Sequence, residues 1–253
     1  MGAGHAHPLY RPGRSPVHLL PPQVKILAAV LSALAVVATP REAFWAFGAH
    51  LAVLLAVWRL AAVPVRWYAT RATIELPFVV LAVLLPFAAG TPRVHALGVS
   101  LSVAGLLAAW NILAKGTLGV LVSLTLASTT ALPELITGLQ RLRAPAAVTT
   151  VVTLMARYLD VVAGEVRRMR LARIARGHDP RLLRQAGATA RGVGGLFVRA
   201  YERGERVHLA MLSRGWTGVL PASGDAAPAG QWLAALAVPA AMALTATAGW
   251  VLR

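Results

Sequence analysis

The sequence predicts an all-α, polytopic membrane protein with about five transmembrane helices and a cytoplasmic domain of amphipathic helices. Three observations lead there. Of 253 residues, 57% are hydrophobic and only 13% charged, a balance too apolar for an ordinary soluble domain. Apolar runs of membrane-crossing length recur along the chain, separated by turns rich in Pro, Gly and Arg. Lys and Arg number 25 against 9 Asp and Glu, for a net charge of +16, and most of that excess lies between Arg141 and Arg214. The positive-inside rule places this segment in the cytoplasm. Cysteine is absent, which excludes a disulfide framework and a thiolate site.

Residues 1–25 read as a cytoplasmic tail. His5, His7 and His18 lack the converging third and fourth ligands of a metal centre, so no metal site is predicted. Pro16, Pro21 and Pro22 end any earlier helix, and the apolar run Ile26–Ala38 follows Lys25. A signal peptide would have a short basic leader in place of this long, proline-broken one, so the run reads as a first span. Pro40-Arg41-Glu42 turns the chain, and Ala43–Ala62 returns to an interface marked by Arg59, Arg66 and Arg71 with Trp58, Trp67 and Tyr68. Ile74–Ala89 makes a third span, with Glu75 at its mouth expected in the headgroup layer. His95–Ala131 is almost wholly apolar. As one helix it would run roughly 55 Å against a hydrocarbon core of about 30 Å, so it must tilt, bend or project. Lys115, beside Gly116 and Gly119, is the natural place for a bend. An unpaired Lys at mid-bilayer would cost about 2.5–3.5 kcal/mol, so Lys115 is expected to face protein or reach the surface. Residues 26–132 thus hold four spans.

Residues 133–218 read as the cytoplasmic helical domain. Pro133–Arg143 is a short amphipathic helix, ended before Pro145, and two longer helices follow over Ala146–Arg176 and Gly187–Arg214. Glu165 is placed to pair with Arg168 at i+3, and Glu202 with Arg206 at i+4. Phe197, Tyr201, Gly204, His208 and Met211 fall along one face of the second helix, a stripe expected to be buried. The connection His178–Arg181 is a turn in which His178 is solvated. Residues 219–230 form a small-residue linker, and 231–253 the last span, with Trp232 and Trp250 near its ends.

One phrase is written twice. Leu171-Ala172-Arg173-Ile174-Ala175-Arg176-Gly177 recurs as Leu209-Ala210-Met211-Leu212-Ser213-Arg214-Gly215, and the register reaches back to Arg168 and Arg206. A single Arg-Gly end is an ordinary helix cap, because glycine takes the left-handed conformation cheaply. Two copies agreeing at the Leu, Ala, aliphatic, small, Arg and Gly positions point to two equivalent docking points. In each, the arginine complements the negative end of the helix macrodipole, and the small residue before it, Ala175 or Ser213, lets another surface come close.

The chain carries no Gly-x-x-x-x-Gly-Lys-(Ser/Thr) phosphate loop, Gly-x-Ser-x-Gly elbow or His-Glu-x-x-His helix. Its nine carboxylates form no evident acid–base pair. No catalytic residue, cofactor site or metal site is therefore predicted. No zinc-finger or RNA-binding signature accompanies the arginines, which share helices with an apolar stripe, so nucleic acid is not an expected partner. A stand-alone channel or carrier would need polar mid-membrane residues and unwound helices, and the spans are nearly featureless apart from Lys115. That reading and an unrecognised membrane enzyme are the alternatives.

The paired Ala175-Arg176-Gly177 and Ser213-Arg214-Gly215, ending two basic helices between apolar spans, resemble the T component of energy-coupling factor transporters, most of all the cobalt-type CbiQ family. Leu20-Pro21-Pro22-Gln23-Val24-Lys25, Glu75-Leu76-Pro77-Phe78, Trp110-Asn111-Ile112-Leu113-Ala114-Lys115 and Tyr201-Glu202-Arg203 are also similar to stretches of that family. The likeness runs from His18 to Gly218, and its visible departure is Ser213, where Ala is common. The resemblance implies a non-catalytic scaffold in the cell membrane with its coupling helices in the cytoplasm. The six motif residues would dock two ATP-binding cassette ATPase subunits. The spans would hold a substrate-capturing S component, CbiM-like, with or without a CbiN-like small subunit. Cobalt is the implied substrate, with nickel or a vitamin as alternatives.

Overall fold

The computed structural model describes residues 9–88, 93–96, 99–177, 186–220 and 227–252. His5, His7, the 178–181 turn and the centre of the 219–230 linker lie outside them. The chain is helical: α1 (Pro22–Ala38), α2 (Phe44–Leu60), α3 (Val65–Ala69), α4 (Leu76–Ala88), α5 (Val103–Thr129), α6 (Leu132–Arg141), α7 (Ala146–Ala175), α8 (Ala186–Leu212) and α9 (Ala229–Val251). A 3-10 turn, Ala72–Glu75, leads into α4. Strands β1 (Arg93–Ala96) and β2 (Val99–Ser102) pair antiparallel. Two compact units emerge, one of residues 6–138 with 225–253, the other of 139–224.

In the first unit, α1 and α2 each pack on both α5 and α9, giving a four-helix ring. Ala35 and Val36 of α1, Phe47 and Leu54 of α2, Leu118, Leu121 and Val122 of α5 and Met242 of α9 fill its core. Small residues at the α1–α9 seam, Ala35 and Ala38 against Ala243 and Ala246, let these parallel helices approach closely. α4 lies along α5. Where they cross, a Cβ on Gly105 would stand 2.7 Å from the Leu85 carbonyl oxygen and 2.8 Å from Pro86 Cα, so the crossing requires glycine.

Within a bilayer every backbone group needs an internal partner, and the helix ends here meet that demand with long-range side chains. At the end of α1, Thr39 Oγ1 donates to Ala35 O (2.8 Å) and Thr39 N to Val36 O (3.3 Å). Lys115 Nζ donates to Val37 O (2.7 Å) and Trp250 Nε1 to Ala38 O (2.9 Å). All four terminal carbonyls are thereby satisfied. At the end of α5, Lys25 Nζ donates to Thr129 O (2.9 Å) and Arg11 N to Ser128 O (3.0 Å). His50, fully buried on α2, lies 3.0 Å from Met242 O and 2.7 Å from Thr245 Oγ1, tying α2 to α9.

One expectation changes. The run 95–131 is not one span with a bend at Lys115. Its start pairs in the hairpin, and α5 continues unbroken through Lys115, Gly116 and Gly119. At 27 residues, about 40 Å, α5 needs no break, and Lys115 faces protein because its ammonium finds the Val37 carbonyl. Glu75, at the mouth of the third span, accepts from Tyr68 Oη (2.6 Å) and Thr117 Oγ1 (3.0 Å), joining α3, the 3-10 turn and α5. The short β1–β2 hairpin ahead of α5 leaves the all-α class unchanged.

By length and hydropathy, α5, α7 and α9 are long and apolar enough to cross a membrane, whereas α1, α2 and Thr73–Phe87 are apolar but shorter. At 17 residues each, α1 and α2 extend about 25 Å. The apolar part of α7 is its first half. From Glu165 onward it carries Arg167, Arg168, Arg170 and Arg173.

Candidate functional site

The two copies of the repeated phrase build the same helix end. Gly177 and Gly215 both adopt φ +78°. Gly177 N donates to Ile174 O at 3.0 Å, and Gly215 N to Leu212 O at 2.9 Å. One residue earlier, Arg176 N meets Arg173 O at 3.0 Å and Arg214 N meets Met211 O at 3.1 Å. In the second copy Trp216 N closes the outer bond to Met211 O at 3.0 Å, completing a Schellman cap.

Presentation matches as well as conformation. Leu171 and Leu209 are 57% and 62% exposed, and Ile174 and Leu212 46% and 49%, so each tip offers the same apolar flank. Ala175, Arg176, Gly177, Ser213, Arg214 and Gly215 are all exposed. Among the described residues neither the Arg176 nor the Arg214 guanidinium has a hydrogen bond or ion pair. Each is therefore a solvated cation beside exposed aliphatics, which can meet a partner carboxylate bidentately.

The helices behind the tips are held together differently from expectation. Glu165 does not pair with Arg168. It accepts from Arg199 Nε and lies 3.4 Å from Arg203 Nη2, both on α8, because its side chain points into the α7–α8 seam. Arg199 also approaches Met169 Sδ at 3.0 Å. These two guanidiniums hold the Glu165 carboxyl below its ordinary pKa. The Glu202–Arg206 pair is present at 4.0 Å between exposed side chains and contributes little.

The aromatic members of the expected stripe are not buried within this chain: Phe197 and Tyr201 are 69% and 63% exposed. Its other members, Gly204, His208 and Met211, join Ala200, Arg203 and Val207 of α8, Leu154 and Tyr158 of α7 and Trp216 in lining a crevice of about 270 Å³. Trp216 was not singled out by the sequence reading. Its ring meets His208 edge-on at 6.0 Å, bracing the second tip. Its position directly after a capping glycine was the available signal, since that residue commonly contacts the last turn.

Apolar helices packed around a membrane-type core, with a basic helix pair ending in matched cationic caps, define a helical polytopic membrane protein. Comparison with known sequences assigns its family. The CbiQ family, described as cobalt transport protein, matches residues 13–223. The cobalt transport protein CbiQ of Rhodobacter capsulatus is 30% identical over 171 residues, covering 66% of this chain and 67% of that one. The chain belongs to the CbiQ cobalt transport protein family, and it is a membrane component of cobalt transport.

Proposed function

We propose that this chain is the T component of an energy-coupling factor transporter for cobalt, a non-catalytic scaffold in the cell membrane. It joins two ATP-binding cassette ATPase subunits to a substrate-capturing, CbiM-like S component, with or without a CbiN-like small subunit. The observation that carries this reading is the equivalence of the two Arg-Gly tips, in φ, in hydrogen bonding and in exposed flank. One asymmetric tip would suit one partner; two matched tips suit a pair of like subunits. Ala175, Arg176 and Gly177 dock one ATPase and Ser213, Arg214 and Gly215 the other. ATP-driven closure of the ATPases moves the two helices, and the spans pass that movement to the S component. Residues 133–218 are the cytoplasmic domain, and α7 belongs to it despite its length and apolar first half, because Arg157, Asp160 and the later arginines would be costly to hold in hydrocarbon.

Co-purification with the ATPases and ATP-dependent cobalt uptake test this reading. A desolvated, charge-paired arginine at an interface often contributes about 2 kcal/mol or more, whereas an exposed surface charge is worth under about 0.5 kcal/mol. Arg176→Ala and Arg214→Ala each weaken assembly. The double variant loses the avidity of the second contact and abolishes coupling. Arg41→Ala, at the turn between α1 and α2, leaves both unchanged. A folded double variant that couples normally, or sustained cobalt uptake into liposomes by this chain alone, overturns the proposal.

A further inference from the structure

At one end of the four-helix ring, where α1 and α9 begin and α2 and α5 end, the core stops short and leaves a cavity of about 270 Å³. Ala29, Leu54, Leu126 and Ala235 line it, together with Val17 and Leu20 of the N-terminal loop, and it is partly open to the surroundings. An apolar cavity of about 150 Å³ already stays dry, because water inside it would find no hydrogen-bond partners. This one is larger and almost wholly apolar, and in a membrane protein the surrounding solvent is hydrocarbon.

One charged side chain reaches the cavity wall. Lys25 is only 6% exposed. It donates to Thr129 O at 2.9 Å and, weakly, to His18 O at 3.4 Å. Among the described residues no carboxylate lies within 4 Å of it. Glu134, exposed at the start of α6, is the acidic group that acts on it from further away. A buried ammonium with two neutral acceptors and no counter-ion calls for an anion.

We propose that this cavity binds an anionic phospholipid, one acyl chain occupying the apolar space and the phosphate meeting Lys25. The occupant must be apolar over most of its length and anionic at one end, which the cavity and its single buried cation together require. Cationic pockets between helices on the cytoplasmic side are suited to such headgroups, and Arg11 and Arg14 in the adjoining loop add to the positive field. The proposal does not depend on the docking role of Arg176 and Arg214.

The test uses the full chain in nanodiscs containing phosphatidylglycerol with a diazirine in its acyl tail. After illumination, crosslinks map to Leu54, Leu126 and Val238. Unlabelled phosphatidylglycerol displaces them about tenfold better than phosphatidylcholine, the factor that about 1.4 kcal/mol of charge-assisted bonding provides. Glycerol phosphate, a head without a tail, and inorganic phosphate do not displace them. Lys25→Gln keeps the crosslinks and loses the preference for the anionic lipid, whereas Glu134→Gln strengthens it. Filling the space with Ala29→Leu or Ala235→Phe removes the crosslinks, and two variants guard against one that fails to fold. Crosslinks confined to outward residues such as Leu34 and Leu233, equal displacement by both lipids, or a preference retained in Lys25→Gln overturns the proposal.

Discussion

Ala62 and Arg143 follow α2 and α6 in the left-handed region, at φ 54° and 60°, the conformation that Gly177 and Gly215 take without a Cβ clash. After α6, Arg143 N donates to Gln140 O and Ala144 N to Leu139 O, both at 3.1 Å, so the cap is a Schellman motif with arginine where glycine is usual. Left-handed backbone costs a residue with a side chain roughly 1–2 kcal/mol. Ala62→Gly and Arg143→Gly therefore raise stability by up to about 1 kcal/mol, after the greater chain entropy of glycine is offset. Gly177→Ala and Gly215→Ala lower it by about 1–2 kcal/mol. Thermal unfolding of the detergent-solubilised chain checks all four, and equal losses at Gly177 and Gly215 are the signature of equivalent caps. The repeated Arg-Gly phrase was fully legible in the sequence because capping is local. The strained Arg143 was not, because nothing about arginine announces a positive φ.

Pairs of elements decide which side chains meet. Glu165 shows this for α7 and α8: the i+3 spacing to Arg168 was available, but the carboxylate turned to Arg199 and Arg203 across the seam. Because these cations lower its pKa, the pairing is present above the unfolded value of about 4.3. It is lost as the pH falls through the lower folded value. With no native cysteine, spin labels at Val161 and Val198, both exposed, report the α7–α8 distance. The distribution is narrow at neutral pH and broadens in acid, whereas Glu165→Gln broadens it at both. A distribution in the unsubstituted chain that ignores acid rejects the pairing as the clasp. In the membrane unit, Gly105→Ala forces a Cβ against the backbone of α4 and costs about 1–3 kcal/mol by overpacking. His50→Leu frees α9 from α2, at about 0.6–2 kcal/mol for an interhelical bond in a membrane.

At the scale of the molecule the question is which side of the membrane each unit meets. The proposed topology takes the arginine-rich ends at Arg59, Arg66 and Arg71 and the opposite turn at Arg41-Glu42 as the two membrane faces of five spans, α1, α2, α4, α5 and α9. It puts the amino terminus inside and the carboxyl terminus outside. A cysteine at Glu42, half exposed, is labelled by an impermeant thiol reagent from outside intact cells. One at Tyr201 is labelled only after permeabilisation. Labelling of the Tyr201 position from outside would place α8 on the wrong side and remove the cytoplasmic domain from the proposal.

Composition, apolar run length and a repeated phrase were enough to read a helical membrane protein, to set most helix limits within a few residues and to mark the two tips. Those properties depend on neighbours a turn or less apart, or on sums over the chain. What only the tertiary structure decided is how buried polar groups find partners. Lys115 meets the end of α1, Glu75 joins Tyr68 to Thr117, and His50 reaches Thr245. Phe197 and Tyr201 stay exposed although their spacing suggested burial. A polar side chain in a low-dielectric interior takes whichever donor or acceptor the packing brings within about 3 Å. Sequence spacing gives no measure of that distance when the partner is 195 residues away.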